Sequence, residues 1–448
     1  MKLAIIGAGW AGMAAAVEAT TAGHRVSVFE ASHSVGGRAR AVTGTLPDGT
    51  PVNLDNGQHI LIGAYAETLR LMRQVGVDER TAMLRLPMTL LFPDGRGMQF
   101  PDWPAPLDAL AGILAARGWS VSDKWSMLRL ASRWRRQDFQ CGASTTVARL
   151  CQSLSPRVIA ELIEPLCLSA LNTAIEDASA QVFLRVLKDA MFGTAGGSNL
   201  LLPRVDLSEL FPAAAARWLA REGGQLRIGA RVDSLAPQGS GWQVQGEGFD
   251  AVLLATSAAQ AIRLLRRSSE QLAPSKAGAL RNWAQIGQGL QFDPICTVYA
   301  WGAAVALPRP MLALRTGADA GAPAQFVFDR GQLGGPPGLL AFVASASQGE
   351  RATLQAQVLA QARQQLGLAL TAVLTIVEKR AAFACTPALQ RPDCVITAGL
   401  LACGDYVAGA YPATLEGAVR SAVTAVQALS PDVYDDRAGI TGNKEHRQ

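Results

Sequence analysis

The stretch MKLAIIGAGWAG, residues 1–12, is a short apolar run that leads directly into Gly7, Gly9 and Gly12. An apolar strand followed by this glycine spacing predicts a tight turn into a helix. Gly7 permits the turn, Gly9 allows a ligand to approach the backbone, and Gly12 allows the helix to pack closely on the strand. The strand-like segment RVSVFE follows and ends at Glu30. These residues predict a βαβ unit.

The predicted helix, residues 11–22, begins where a bound anion would lie. Its unpaired N–H groups and the positive end of its dipole attract phosphate, so no basic side chain is needed there. Glu30 can accept both hydroxyls of a ribose but would repel a 2′-phosphate, which favours the adenosine of FAD or NAD over that of NADP. We expect Trp10, Ala11 and Ala31, which flank these positions, to contact the same ligand. The alternative is a glycine-rich turn that binds nothing.

The composition bounds the class of protein. With 448 residues, 49% of them apolar, the chain has enough material for two or three domains. Its seven cysteines form no CxxC pair, which favours reduced thiols, and four histidines make a metal centre improbable. A net charge of +5 is too small to indicate nucleic-acid binding. The glycines interrupt the first apolar run, so we expect a cytoplasmic protein without a secretory signal or a membrane span.

Two further segments favour FAD over NAD. After Glu30, the stretch ASHSVGGRAR supplies Gly37 and places the charge of Arg38 beside the expected pyrophosphate. Towards the other end, GLLACGDY predicts a strand that brings Gly404 and Asp405 to the mouth of a sheet, where Asp405 can bind a ribityl hydroxyl. An ordinary NAD domain needs neither segment.

The segment YPATLEGAVRSAVTAVQAL predicts a helix with a proline-led start at Pro412. Its N-terminus, around Thr414 and Leu415, would point its dipole at the N1 and O2 edge of a flavin. Negative charge on the reduced flavin would be stabilised there.

In combination, the motifs GAGWAG, VGGRAR, DNGQH and ACGDY resemble those of the superfamily of FAD-dependent amine oxidases and phytoene desaturases. The resemblance implies an α/β protein with a two-domain, FAD-binding Rossmann-type fold, a mixed α+β substrate domain and a helical lid. The FAD-binding domain is then discontinuous and comprises residues 1–75, 203–265 and 390–430. The substrate domain comprises 76–202 and 266–389, and a loose polar tail follows at 431–448.

The same resemblance assigns residues to the cofactor, which we expect to be bound non-covalently. It implies that FAD is held by Gly7, Gly9, Gly12, Glu30, Gly37, Arg38 and Asp405. It places Gly57 and Gln58 beside the isoalloxazine ring, and it gives the backbone of Val232, in the strand-like RIGARVDSL, a contact with adenine. The alternative for Val232 is a buried strand residue.

More narrowly, DNGQHILIGAY, EPLCLSALNT and GDYVAGAYPATLEGAV resemble the squalene-associated branch of that superfamily. This resemblance implies reductive removal of an allylic hydroxyl from hydroxysqualene to give squalene in hopanoid biosynthesis, with hydride supplied by reduced flavin. Because only one dinucleotide fingerprint is visible, an external electron donor of unidentified kind is implied. Alternatives are a carotenoid desaturase, an amine oxidase, which would need an aromatic cage, and a non-catalytic lipid carrier.

Hydroxide is a poor leaving group, so the reaction needs an acid. The candidates are His59, Asp55 and Tyr411, whose motifs are expected beside the isoalloxazine. Alternatively, Asp55 caps its own turn, His59 is a core histidine, and Tyr411 packs against the flavin. Glu164 is either a buried carboxylate near the substrate or a partner in a salt bridge at a helix terminus.

The segment SDKWSMLRLASRWRRQDF predicts an amphipathic helix that starts near Ser122. One face carries Met127, Leu130, Ala131 and Trp134, and the other carries Arg129, Arg133 and Arg136. The same insertion contains Trp103, Trp119 and Trp125. Arginines and interfacial tryptophans can rest on an anionic bilayer and draw a lipid substrate from it, at the inner face of the cell membrane. The alternative is a lid helix with a solvated arginine face.

Overall fold

The structure, a computed structural model, describes residues 1–429 except 194, 271 and 318–320. The expected tail at 431–448 lies outside the described residues. The strands are β1 Lys2–Ile6, β2 Arg25–Glu30, β3 Ala41–Thr45, β4 Pro51–Asp55, β5 Leu61–Ile62, β6 Met83–Leu86, β7 Thr89–Leu91, β8 Gly97–Gln99, β9 Leu200–Pro203, β10 Gln225–Ile228, β11 Leu235–Gln238, β12 Gly241–Val244, β13 Glu247–Phe249, β14 Ala251–Leu254, β15 Phe292–Trp301, β16 Met311–Ala313, β17 Phe326–Asp329, β18 Leu339–Ala344, β19 Thr371–Phe383, β20 Val395–Thr397 and β21 Leu400–Ala402.

The helices connect these strands and build most of the insertion between β8 and β9. They are α1 Trp10–Thr21, α2 Ala66–Gln74, α3 Glu79–Ala82, α4 Leu107–Ala115, α5 Val121–Arg136, α6 Val147–Leu150, α7 Pro156–Val158, α8 Glu164–Leu171, α9 Ala180–Phe192, α10 Leu207–Leu210, α11 Pro212–Arg221, α12 Ala258–Ser269, α13 Pro274–Gln288, α14 Arg351–Leu366 and α15 Leu415–Gln427. A π-helical turn, Ile159–Ile163, joins α7 to α8. Among the described residues, no helix combines the length and apolar character that crossing a membrane requires.

The first large sheet has the strand order β10-β2-β1-β14-β21-β20 in the described part of the chain. Its strands run parallel except for β20, which pairs antiparallel with β21. The central strands β1 and β14 are apolar and buried along almost their whole length, as expected for a parallel sheet that is covered on both faces. Helices α1, α11 and α15 pack together on one face. The strands of this sheet come from all three segments expected for the cofactor domain.

The second large sheet is antiparallel and, within the described residues, has the order β16-β17-β18-β15-β19. Helix α14 covers one face through Leu354 and Val358, which pack against Val298 and Phe342. The opposite face carries Tyr299, Phe326 and Phe328 into the main core. Helices α4 to α9 lie in the other expected substrate segment. The expected α/β fold, with a parallel cofactor sheet and a mixed substrate region, is confirmed.

Candidate active site

A cavity of about 690 Å³ opens at the carboxyl ends of β1, β2, β14 and β21 and extends to the antiparallel sheet. In open parallel sheets, ligands bind at this end of the strands. The residues expected at the cofactor line this cavity with one exception, Gly12. Those on the cavity wall are Gly7, Gly9, Trp10, Ala11, Glu30, Ala31, Gly37, Arg38, Gly57, Gln58, Val232, Gly404, Asp405, Thr414 and Leu415.

The turn between β1 and α1 shows three different reasons for its glycines. Gly7 has a φ of +109°, and a Cβ there would lie 2.7 Å from the carbonyl oxygen of Ala255. A Cβ at Gly12 would lie 1.8 Å from the carbonyl oxygen of Gly7, so Gly12 is a packing residue, which explains its absence from the wall. At Gly9 a Cβ would meet nothing closer than 3.8 Å. Gly9 therefore leaves open space in the cavity.

Helix α1 begins at this open space. Its cap residue, Gly9, provides no side-chain hydrogen bond, and its first turn contains no acidic residue. The first N–H groups of a helix lack intrahelical partners, and they attract an anion. A pyrophosphate of FAD therefore suits this wall of the cavity.

Glu30 is held beside the same turn by backbone amides. Its Oε2 accepts a hydrogen bond from Ala8 N at 2.7 Å, and its Oε1 accepts one from Ser32 N at 2.8 Å. Because a carboxylate has about four acceptor positions, two remain for ribose hydroxyls. The geometry is compatible with the expected ribose contact.

Arg38 and Asp405 line the cavity, but they bind each other. Arg38 Nη2 lies 2.5 Å from Asp405 Oδ1, and Arg38 Nη1 donates to the carbonyl of Ala381 at 2.7 Å. Burial lowers the pKa of Arg38, but the charge of Asp405 and its hydrogen bond outweigh burial and raise that pKa overall. Arg38 thus lies on the cavity wall, where its charge is expected beside the pyrophosphate, and Asp405 holds its guanidinium in place.

Val232 lies in the loop between β10 and β11 and is half-buried. The interpretation as a buried strand residue is therefore wrong, although Val232 lines the cavity.

Asp55, expected as a candidate acid, does not line the cavity. Its Oδ1 accepts a hydrogen bond from the backbone N–H of Leu207 at 2.7 Å, at the start of α10. Tyr299 donates to the backbone carbonyl of Asp55 at 2.9 Å. Burial raises the pKa of Asp55 to about 6, while the Leu207 hydrogen bond opposes that shift. The carboxyl group stabilises α10 rather than its own turn, which corrects both interpretations.

Tyr411 is also outside the cavity wall. Its hydroxyl donates to Asp189 Oδ2 at 2.7 Å, and the guanidinium of Arg420 lies 4.7 Å from the centre of its ring. Tyr411 therefore packs behind the start of α15, which corrects its expected position at the flavin.

The proline-led helix start is wrong as well. Tyr411 and Ala413 have φ values of +57° and +59°, so the segment around Pro412 forms a left-handed turn. Helix α15 begins at Leu415, and the Thr414 hydroxyl caps it by accepting from Gly417 N at 2.9 Å. The helix N-terminus nevertheless borders the cavity, through Thr414 and Leu415.

His59 is the candidate acid that does line the cavity. Its Nδ1 lies 2.8 Å from the carbonyl oxygen of Gly57. A carbonyl only accepts, so Nδ1 carries the hydrogen and Nε2 is the atom that gains or loses a proton. Burial lowers the pKa of His59, the Gly57 hydrogen bond opposes this, and the charge of Arg38 lowers it further. Nε2 is therefore unprotonated at neutral pH.

Glu164 begins α8 and does not line the cavity. Burial raises its pKa, and the charge of Glu176 adds to the shift. Among the described residues Glu164 forms no salt bridge, and helical backbone continues into it from the π-helical turn, so the alternative of a helix-terminal ion pair is wrong.

The far end of the cavity is apolar. Leu168 and Ala170 of α8 face Ile295, Phe326, Phe328 and Val343 of the antiparallel sheet. Leu168 and Ala170 belong to the motif EPLCLSALNT, whereas no motif indicated the four sheet residues, because strands distant in sequence bring them together. Arg330 is buried behind the wall, and its Nη1 donates to Oε1 of the wall residue Gln58 at 3.3 Å, a contact that no motif indicated.

Comparison with known proteins gives consistent results. A family model described as flavin containing amine oxidoreductase matches residues 10–430. The chain is 25% identical to a hydroxysqualene dehydroxylase of Rhodopseudomonas palustris over 437 residues, 93% of this chain and 95% of the relative. It is also 25% identical to a hydroxysqualene dehydroxylase of Sinorhizobium fredii over 65% of this chain and 68% of the relative.

A zeta-carotene desaturase of Synechocystis is 36% identical, but over only 21% of this chain and 19% of the relative. Among solved structures, an oxidoreductase of Methanosarcina mazei has a TM-score of 0.70 and 17% identity, with 95% of this chain and 100% of that chain covered. This structural likeness supports the fold.

Proposed function

The chain belongs to the family of flavin-containing amine oxidoreductases and is an FAD-dependent oxidoreductase, and from this premise we propose that it removes the allylic hydroxyl of hydroxysqualene reductively to give squalene. The observation that carries the proposal is the similarity to a hydroxysqualene dehydroxylase over 93% of the chain. The apolar end of the cavity supports it, because an isoprenoid chain needs an apolar binding surface. The product would enter hopanoid biosynthesis.

The cavity residues have distinct roles in this proposal. The N-terminus of α1 binds the pyrophosphate, and Glu30 binds the ribose. The N-terminus of α15, at Thr414 and Leu415, would stabilise negative charge on the isoalloxazine. The ion pair with Arg38 would hold the Asp405 carboxylate in position for a ribityl hydroxyl. When bound and reduced, FAD supplies a hydride.

The reaction consumes one hydride and one proton: the C–O bond breaks, a C–H bond forms, and water leaves. The two electrons of the hydride would come from an external donor, because the chain carries a single dinucleotide fingerprint. Leu168, Phe326 and Phe328 exclude water from the carbon that develops positive charge. His59 delivers the proton from Nε2 to the departing oxygen when it is protonated.

An anaerobic single-turnover experiment tests the activity. The purified protein is reduced with dithionite, and hydroxysqualene is added. We expect the flavin to be reoxidised while squalene forms in equal amount. The zeta-carotene desaturase similarity supplies the competing candidate, an FAD-dependent carotenoid desaturase. Absence of squalene, together with desaturation of phytoene by the oxidised protein, would establish that candidate instead.

We also propose peripheral contact with an anionic membrane, through a surface on α4 and α5 that we call the α4–α5 patch. Its exposed side chains are Trp103, Leu107, Leu110, Leu114, Val121 and Trp125. Leu107, Leu110 and Leu114 recur at helical spacing on one face of α4, and Val121 is 84% exposed. Exposed apolar side chains in such a group are typical of an interaction surface.

The positive charge of α5 favours an anionic bilayer as the partner of this patch. Arg129, Arg133 and Arg136 are exposed, whereas Met127, Leu130 and Trp134 are buried, as the amphipathic pattern predicts. Arginines next to apolar side chains suit anionic headgroups above an acyl region. Trp119 is a correction: it is buried, and its indole N–H donates to Glu161 at 3.0 Å, so it does not belong to the patch.

A further inference from the structure

Asn172 follows α8 in a left-handed conformation, with φ +47° and ψ +31°. Its Oδ1 accepts a hydrogen bond from Ala346 N at 3.1 Å, which fixes the orientation of the amide. The residue is 6% exposed and lines the cavity. Its Nδ2 is buried and has no hydrogen-bond partner among the residues that the structure describes. Asn172 therefore presents a fixed, unpaired donor group at the cavity wall.

The surroundings of Asn172 show what this donor lacks. Leu168, Ala170, Ile295 and Val343 line the cavity and offer no side-chain acceptor, and the hydroxyl of Ser345, also on the wall, does not pair with Nδ2. The nearby Ser169 hydroxyl donates to the carbonyl of Pro165. A buried donor without an acceptor is unfavourable, and native proteins rarely leave one unpaired. A ligand oxygen would satisfy it.

We propose that Asn172 Nδ2 donates a hydrogen bond to the hydroxyl oxygen of an isoprenoid alcohol bound in the apolar end of the cavity. The substrate class rests on the proposed function. This hydrogen bond orients the C–O bond of the alcohol. Because an amide is a very weak acid, the proton that leaves with the oxygen comes from another group. A pure hydrocarbon, such as a carotenoid, leaves Nδ2 unpaired. Asn172 therefore selects alcohols over hydrocarbons.

Ligand titration of the oxidised, FAD-loaded protein tests this selection. Hydroxysqualene and squalene, which differ by one hydroxyl group, are titrated separately, and binding is followed by the change in flavin absorbance. We expect the parent protein to bind the alcohol about three- to tenfold more tightly. Asn172→Leu keeps the branched shape of the side chain and removes the donor, whereas Asn172→Gly tolerates the left-handed backbone. Both variants should bind the two ligands with nearly equal affinity.

The ratio of the two affinities separates recognition from damage, because a distorted cavity would weaken binding of both ligands alike. Asn53, which is exposed on β4, provides the matched control: Asn53→Leu should keep the parent ratio. A parent ratio near one, or an unchanged ratio in both Asn172 variants, would overturn the proposal. If the parent protein converts hydroxysqualene but the Asn172 variants keep the parent ratio of affinities, only this inference is overturned. If the variants lose that ratio but the parent protein does not convert hydroxysqualene, only the proposed reaction is overturned.

Discussion

Two glycines in the β1–α1 turn serve different purposes: Gly9 leaves space for the cofactor, and Gly12 allows the turn to pack. We predict that Gly9→Ala folds normally but binds FAD at least tenfold more weakly, because its methyl group enters the open space meant for the pyrophosphate. The φ of Gly9, −75°, is acceptable for alanine. Gly12→Ala should instead lower the thermal midpoint, since its Cβ meets the Gly7 carbonyl at 1.8 Å. Flavin content and thermal unfolding distinguish the two, and equal thermal midpoints would contradict the assignment.

Titration of His59 gives a pH dependence with a definite sign. Burial places the pKa of His59 below its ordinary value of about 6.5, so the proton-donating form is populated only as the pH falls. Above that pKa, we expect the rate of flavin reoxidation by hydroxysqualene to rise about tenfold for each pH unit of decrease. His59→Gln, which can still donate to Gly57 but cannot gain a proton, should react slowly with no such slope. A slope that persists in His59→Gln would remove His59 as the acid.

Asp405 connects the end of β21 to Arg38, and its loss has two effects. Asp405→Ala removes the acceptor expected for the ribityl chain and leaves the Arg38 guanidinium without its partner. We predict that this variant loses FAD during gel filtration, as measured by the flavin absorbance relative to the protein absorbance. The double variant Arg38→Met with Asp405→Ala should retain fold but also lack FAD. Full flavin content in Asp405→Ala would contradict the role.

At the level of elements, the sequence predicted what neighbouring residues determine. Helix α1, strand β2 and the buried face of α5 follow from local spacing, and the structure shows each of them. The start of α15 was mispredicted, because left-handed residues around Pro412 override the usual preference for proline at a helix start. The pairing of Arg38 with Asp405 and the apolar wall of Phe326 and Phe328 join segments far apart in the chain. No spacing rule reports such contacts.

The α4–α5 patch supports a prediction about membrane binding by whole helices. Changing Arg129, Arg133 and Arg136 to Glu should strongly reduce co-sedimentation with anionic liposomes, because each arginine near the surface contributes about 1 kcal/mol. Changing Leu107, Leu110 and Leu114 to Ser should reduce binding at high salt, where the apolar contribution dominates.

The matched control makes the same charge change elsewhere: three exposed arginines on other elements are replaced by Glu. They are Arg25, Arg80 and Arg221. This control should bind like the parent protein. Equal co-sedimentation of the patch variants and the parent would leave α5 as a lid helix with a solvated arginine face.

Segments from distant parts of the chain meet at the cavity. Its wall is formed by residues near 6–11, 30–38, 230–233, 255–267, 378–382 and 404–418, so one ligand would contact segments from both ends of the chain and from its middle. The parallel sheet depends on the same segments, since β1, β14 and β21 are adjacent strands. Binding of FAD should therefore stabilise the packing of distant segments, and not only a local loop.

This arrangement predicts that FAD stabilises the whole protein through mass action. At a free FAD concentration one hundred times the Kd, the free energy of unfolding should rise by about 2.7 kcal/mol, and the thermal midpoint should continue to rise with added FAD. Gly9→Ala, which should fold but bind FAD weakly, is the control and should respond only at much higher concentrations. Since the ligand contacts strands from both ends of the chain, calorimetry should show a single transition that shifts as a unit. A thermal midpoint that does not change with FAD would contradict the binding of FAD in this cavity. Two separate transitions, of which only one shifts, would contradict the conclusion that bound FAD stabilises the distant segments together.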